Sequence, residues 1–132
     1  MANTVNKTVL EQGNRYVLLH VYLASDGVTG ELVDEVLIDT SDLIPEMGAE
    51  SLVIDEVWHE LAGFNATLEF DSIVDDPVWT LTPSGKHHDF SKFGGLKDRS
   101  GFDSTGRLLL STTGFDSTAD QGAFVLRLRK RG

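Results

Sequence analysis

Apolar residues recur at every second position through much of this chain, the period of a β-strand rather than a helix. The densest such stretch is Ser51–Leu81, SLVIDEVWHELAGFNATLEFDSIVDDPVWTL, which holds both tryptophans. Within Leu52–Leu61 one face carries Leu52, Ile54, Glu56, Trp58 and Glu60, and the other Val53, Asp55, Val57, His59 and Leu61. Apolar residues on both faces predict a strand covered on both sides. Ala62-Gly63-Phe64-Asn65 offers turn chemistry, since Gly and Asn accept positive φ. Ala66, Leu68 and Phe70 then alternate with Thr67, Glu69 and Asp71, so the pair of runs predicts a hairpin. Asp75-Asp76-Pro77 breaks the chain, Val78–Leu81 restarts it, and Pro83-Ser84-Gly85 stops it again. A buried Trp removes about 150–250 Å² from water, which makes Trp58 and Trp79 the expected centre of the core.

The flanking segments extend the same pattern. Tyr16–Leu23, YVLLHVYL, is apolar on both faces and is expected to be a central strand. Glu31–Thr40 is read as the next strand from its β-branched content, although a helical period also fits. Ser41–Glu50 is the one place where a helical turn is expected, kept short by Pro45 and Gly48. His87–Ser100 lacks strand periodicity and is read as a long loop. Gly101-Phe102-Asp103-Ser104-Thr105 recurs letter for letter as Gly114-Phe115-Asp116-Ser117-Thr118. In each copy the glycine permits an unusual backbone angle, the phenylalanine anchors to the core, and Asp-Ser closes a turn. Arg107–Thr112 and Gly122–Lys130 supply the last strands, the latter with Phe124, Leu126 and Leu128 on one face. The expectation is an all-β, single-domain antiparallel β-sandwich, jelly-roll-like or immunoglobulin-like, with seven to eight strands and little helix. The expected core is Trp58, Phe70, Trp79, Phe102, Phe115 and Phe124. Residues 15–132 form the domain, and the polar stretch Met1–Asn14 reads as an N-terminal arm, flexible alone or ordered against a partner.

Length and composition narrow the class. The 132 residues suffice for one core, and 40% apolar with 24% charged residues is globular composition. The absence of cysteine excludes disulfides, thiolate metal sites and cysteine nucleophiles. The N-terminus has no apolar signal core, and no apolar run approaches membrane-spanning length, so the expectation is a cytoplasmic product without a membrane partner. The net charge is −10, and between Tyr16 and Gly85 there are 15 acidic residues and no Lys or Arg. A surface of that kind does not coat nucleic acid, because phosphate contacts need clustered cations. The basic end, Arg127, Arg129, Lys130 and Arg131, either docks on an acidic neighbour or balances charge as a solvated tail.

No motif carries catalysis. His87-His88-Asp89 has the composition of a metal cluster, but adjacent strand residues point to opposite faces, so a surface loop is expected and no metal. Asp103, Asp116 and Asp120 lack the dense oxygen spacing of a calcium loop. His20 and His59 lie within apolar strands and are read as core or interface histidines. No pair of carboxylates is marked out as a glycosidase would need, and neither G-x-S-x-G nor a phosphate-binding glycine loop occurs. The expectation is a non-enzymatic protein without a cofactor.

The segment Val57–Asp71, VWHELAGFNATLEFD, is similar to one in small virion structural proteins of tailed bacteriophages. His87-His88-Asp89-Phe90 and Gly114-Phe115-Asp116-Ser117 resemble the same family, so the likeness spans roughly Val57 to Lys130. The resemblance implies a structural role in a virion assembled in the host cytoplasm. The leading reading is a capsid decoration (cement) protein, a homotrimer bridging major capsid protein subunits. The alternatives are a head–tail connector, a tail protein, or a carbohydrate-binding module using exposed Trp58 or Trp79. The expected contact residues are Asn3, Val5, Lys7, Val9 and Leu10 of the arm, with Arg127, Arg129, Lys130 and Arg131 of the basic end.

Overall fold

The computed structural model describes residues 3–13, 15–39, 52–71, 76–97 and 107–130. Ten strands follow in order: β1 (Thr4–Gln12), β2 (Tyr16–Ala24), β3 (Glu35–Asp39), β4 (Leu52–Ala62), β5 (Asn65–Phe70), β6 (Asp76–Leu81), β7 (Ser84–Asp89), β8 (Leu96–Lys97), β9 (Arg107–Thr113) and β10 (Gln121–Lys130). They form two antiparallel sheets. One has the order β1-β2-β10-β4-β7 with β8 also on β4, and the other the order β3-β9-β5-β6. Setting β1 and β8 aside, the chain changes sheet at every step except between β5 and β6, which pair with each other, and the first and last of the eight strands are paired. This is the double-sheet order of a jelly roll. The expected sandwich is therefore present, with ten strands among the described residues where seven to eight were anticipated.

The core lies between the sheets. Val17, Leu19, Val21 and Leu23 of β2 face Ala66, Leu68 and Phe70 of β5 and Leu108 and Leu110 of β9, joined by Phe124, Leu126 and Leu128 of β10. Phe70, Phe115 and Phe124 are buried as expected. Phe102 lies outside the described residues, as does the helical turn expected at 41–50. Trp79 is half-buried and closes the open side of the sandwich, its ring edge-on to Phe90 at 4.8 Å and to His88 at 5.2 Å.

Trp58 is corrected. It is 38% exposed and lies on the outer face of the six-stranded sheet. The cause is a bulge in β4. Arg127 stands opposite Glu56 and Leu128 opposite Ile54, so Asp55 is the extra residue. A one-residue shift exchanges faces. Leu52 and Ile54 before the bulge, and Val57, His59 and Leu61 after it, all point inward, while Glu56, Trp58 and Glu60 point out. Strict alternation had placed Trp58 with Leu52 and Ile54. Val53, on the outer side, is buried because the segment 90–97 covers it: β8 pairs there, and Gly95 (φ +81) packs its backbone onto Val53, Ile54 and Asp55.

Four further expectations change. β4 and β5 are not a hairpin, since Gly63 (φ +89) and Phe64 carry the chain from one sheet to the other. β3 begins at Glu35, not Glu31, after Asp34 at φ +52. The stretch 87–97, read as loop, contains the end of β7, a 3-10 turn at Ser91–Phe93 and β8. The stretch read as an arm supplies β1, ordered against the chain's own β2 from Thr4 opposite Ala24 to Gln12 opposite Val17. The second copy of the repeat is a turn as expected: Gly114 has φ +82, Phe115 is buried, and Ser117 Oγ accepts from Ala119 N–H.

Candidate binding face

The outer face of the six-stranded sheet is a broad surface of varied chemistry. Alternation on β2 and β10 puts Tyr16, Leu18, His20 and Tyr22 beside Ala123, Val125, Arg127 and Arg129. Register then aligns side chains across the strands. Thr8, His20, Val125, Trp58 and His87 form one line, and Asn6, Tyr22, Ala123, Glu60 and Gly85 the next. The Trp58 and His87 rings stack with centroids 4.8 Å apart and planes within 2°. His87 Nε2 lies 3.4 Å from Glu56 Oε2, and Glu56 Oε1 accepts from Arg127 Nη1 at 3.1 Å. The Arg127 guanidinium rests over the Tyr16 ring, 4.5 Å from its centre.

Depressions mark this face among the described residues. An open groove of about 510 Å³ includes His20, Trp58, Glu60, His87 and Val125 in its lining. A second of about 370 Å³ adjoins it, sharing Glu60 and Ala123 and adding Tyr22 and Gln121. A third of about 460 Å³ lies toward the β1–β2 turn, lined by Glu11, Gly13, Arg15, Tyr16, Leu18 and Arg127.

The expected contact residues fall into two groups. Val9 and Leu10 are 46% and 54% exposed, at a bulge where β1 slips between Val9 and Glu11. The others are engaged within the chain. Asn3 donates to Gly30 O and accepts from Asp26 N–H, tying β1 to the 26–30 loop. Val5 packs against the core. Lys7 reaches Glu35 Oε1 at 3.3 Å and Val36 O at 2.7 Å, bridging the two sheets. The basic end is not a solvated tail across its described part. Arg129 Nε is 3.1 Å from Asp55 Oδ2, and Nη2 donates to Gly94 O at 2.7 Å. Lys130 is buried and donates to Gln12 Oε1 and Gly13 O, so the ends of β1 and β10 meet at one corner. Arg131 lies outside the described residues.

The histidines divide between the two sides of the sheet. His87 stacks on Trp58 outside, while His88 faces inward against His59, at 5.6 Å, and Trp79. Among the described residues no three His, Asp or Glu side chains converge as metal ligands would. Sequence reasoning missed Asp55, which is 1% exposed and anchored by the basic strand. An acid inside the apolar run VIDEVW, with RLRK elsewhere in the chain, was the available signal. It also missed Glu31, which accepts from Thr112 Oγ1, Gly114 N–H and Phe115 N–H and so fixes the second repeat copy. Nothing in the local pattern marks that role.

Neither a family model nor a curated protein matches the chain. Among solved structures it is similar to a cupin superfamily protein from Desulfitobacterium hafniense DCB-2, with 12% identity and a TM-score of 0.37, over 100% of this chain and 82% of that one. A likeness this slight carries no inference about function.

Proposed function

We propose that this chain is a non-enzymatic structural protein of a tailed-phage virion, a decoration protein that stabilises the lattice of the major capsid protein. The observation that carries the reading is β1. It is a nine-residue strand without proline, at the edge of its sheet and paired on one side only among the described residues, with exposed Val9 and Leu10 near its end. Edge strands are normally guarded, often by lysine. Here Lys7 is drawn down to Glu35 and Val36 of the other sheet, leaving the strand available for addition to a neighbour's sheet. Jelly rolls serve in viral capsids as well as in lectins, which is compatible with the role but does not establish it. The resemblance of Val57–Asp71 to virion proteins supplies the choice of partner.

The test is co-sedimentation with empty capsids built from a tailed-phage major capsid protein. Because β1 belongs to the sheet, point substitutions test its role without removing a strand. The expected result is saturable binding by a trimer, with Val9→Asp plus Leu10→Asp abolishing binding and leaving the circular dichroism unchanged. Failure of the wild-type protein to bind capsids overturns the decoration role; binding to isolated connectors or tails instead would assign it there.

A further inference from the structure

We propose that the outer face of the six-stranded sheet binds a neutral oligosaccharide, with Trp58 as its stacking platform. This goes beyond the assembly role, which uses the β1 edge. Trp58 stands in the middle of a rigid sheet, not on a loop, and is 38% exposed. His87 covers one face of the indole with its plane parallel to within 2°, and Glu56 holds His87 in turn. The indole is thereby set upright beside the groove that runs across Val125 to His20 on β2. Two strand spacings separate those walls, about 10 Å. That gap accepts a ring lying flat against the indole.

The surroundings suit a pyranose. Its C–H face seeks an aromatic plane and its hydroxyls seek donors and acceptors at the rim. The groove floor is made low by Val125, Ala123 and Gly85. Glu60 at the boundary of the two depressions offers acceptors. Tyr22 contributes a second ring, with its hydroxyl 3.3 Å from Gln121 Oε1. From the register, Trp58 and Tyr22 are offset by two strands and two residues, a diagonal of about 12 Å. A short oligosaccharide spans that distance and a single ring does not. Glu56 and Glu60, on a chain of net charge −10, select against acidic sugars.

The test is titration of the protein with cellohexaose, chitohexaose, xylohexaose and maltohexaose, followed by calorimetry and tryptophan fluorescence. At least one hexaose is expected to bind and shift the emission. Trp58→Ala weakens that binding by about tenfold or more, and Trp58→Phe recovers part of it. Tyr22→Ala weakens the hexaose but not the matching disaccharide. Absence of binding by all four sugars, or binding indifferent to Trp58→Ala, overturns the proposal. Trp58→Ala is also sedimented with capsids. Retained capsid binding keeps the two surfaces separate, whereas its loss together with absence of sugar binding would make this face an assembly interface and refute the sugar site, leaving the decoration role intact.

Discussion

Replacing Arg129 with alanine strands a buried carboxylate. Asp55 is 1% exposed, with Arg129 Nε 3.1 Å from Oδ2 and 3.3 Å from Oδ1. Arg127 Nη2 stands farther off, at 3.9 Å. Removing one partner of a buried pair costs about 3–5 kcal/mol, because the remaining charge is left without compensation. Arg129 is itself 32% exposed and Arg127 stays nearby, so the lower end applies, about 3 kcal/mol. A domain of this size loses about 3 °C for each kcal/mol, which gives a fall in Tm of about 9 °C. Thermal and urea unfolding followed by circular dichroism measure it. Glu35→Ala, which removes the exposed pair with Lys7, is the control and is expected to cost less than about 1 kcal/mol. Adding Asp55→Asn to Arg129→Ala is expected to restore part of the loss, since no unpaired charge then remains. If Arg129→Ala matches the Glu35→Ala control, or if the double variant is no better than the single, the bulge is not anchored by this pair and the reasoning fails.

Other outcomes follow from the same structure. Asp26 is held at about 2, from an ordinary 3.8, by donation from the Thr29 hydroxyl and then from the Thr29 and Val28 N–H groups. A carboxyl held low in the fold stabilises it above the unfolded value and loses that contribution as pH falls through the folded one. The loop it closes is therefore expected to weaken between pH 3.8 and about 2, and Asp26→Asn to flatten that part of the stability–pH curve; an unchanged acid limb would contradict this. Gly95→Ala places a methyl 2.4 Å from Val53 Cγ1 and 2.7 Å from Asp55 Oδ1 at φ +81, so it is expected to lower Tm and to loosen hydrogen-exchange protection at Phe90 N–H, which bonds Asp55 O. Leu126→Ala, in the buried core, is expected to cost about 2–5 kcal/mol, while Trp58→Ala on the outer face costs far less. Equal losses in urea unfolding would return Trp58 to the core.

The parts of the fold legible in the sequence were those governed by neighbours along the chain. Alternation on β2 and β10 gave the correct buried faces because both strands run without a bulge of their own against a common core. Phe115 was legible because a glycine with positive φ precedes it and a serine closes the turn behind it. What remained hidden was non-local. The extra residue at Asp55 exists only relative to β10, so no window on β4 reveals it, and with it went the position of Trp58. The polar composition of β1 suggested an arm because its inward residues Lys7 and Val9 lie at the rim, where inward does not mean buried. His87 and His88 were read as surface loop, yet they lie on β7 and point to opposite sides of the sheet, because the outward partner that holds His87 is a tryptophan on another strand.

The pairing of β2 with β10 also sets the order in which this molecule comes into being. Tyr16 meets Arg129 and Ala24 meets Gln121, so the central ladder of the larger sheet joins segments from near the two ends of this sequence. During synthesis the apolar side of β2 is made early and finds its permanent neighbour only after β10 emerges. A topology with so many distant pairings is expected to refold on the millisecond-to-second scale rather than in microseconds. Any chain cut before Gln121 is left with β2 and β4 lacking the strand that stands between them. Such a fragment is therefore an aggregation hazard and not a smaller folded domain, and the last strand acts as a checkpoint on the integrity of the whole chain.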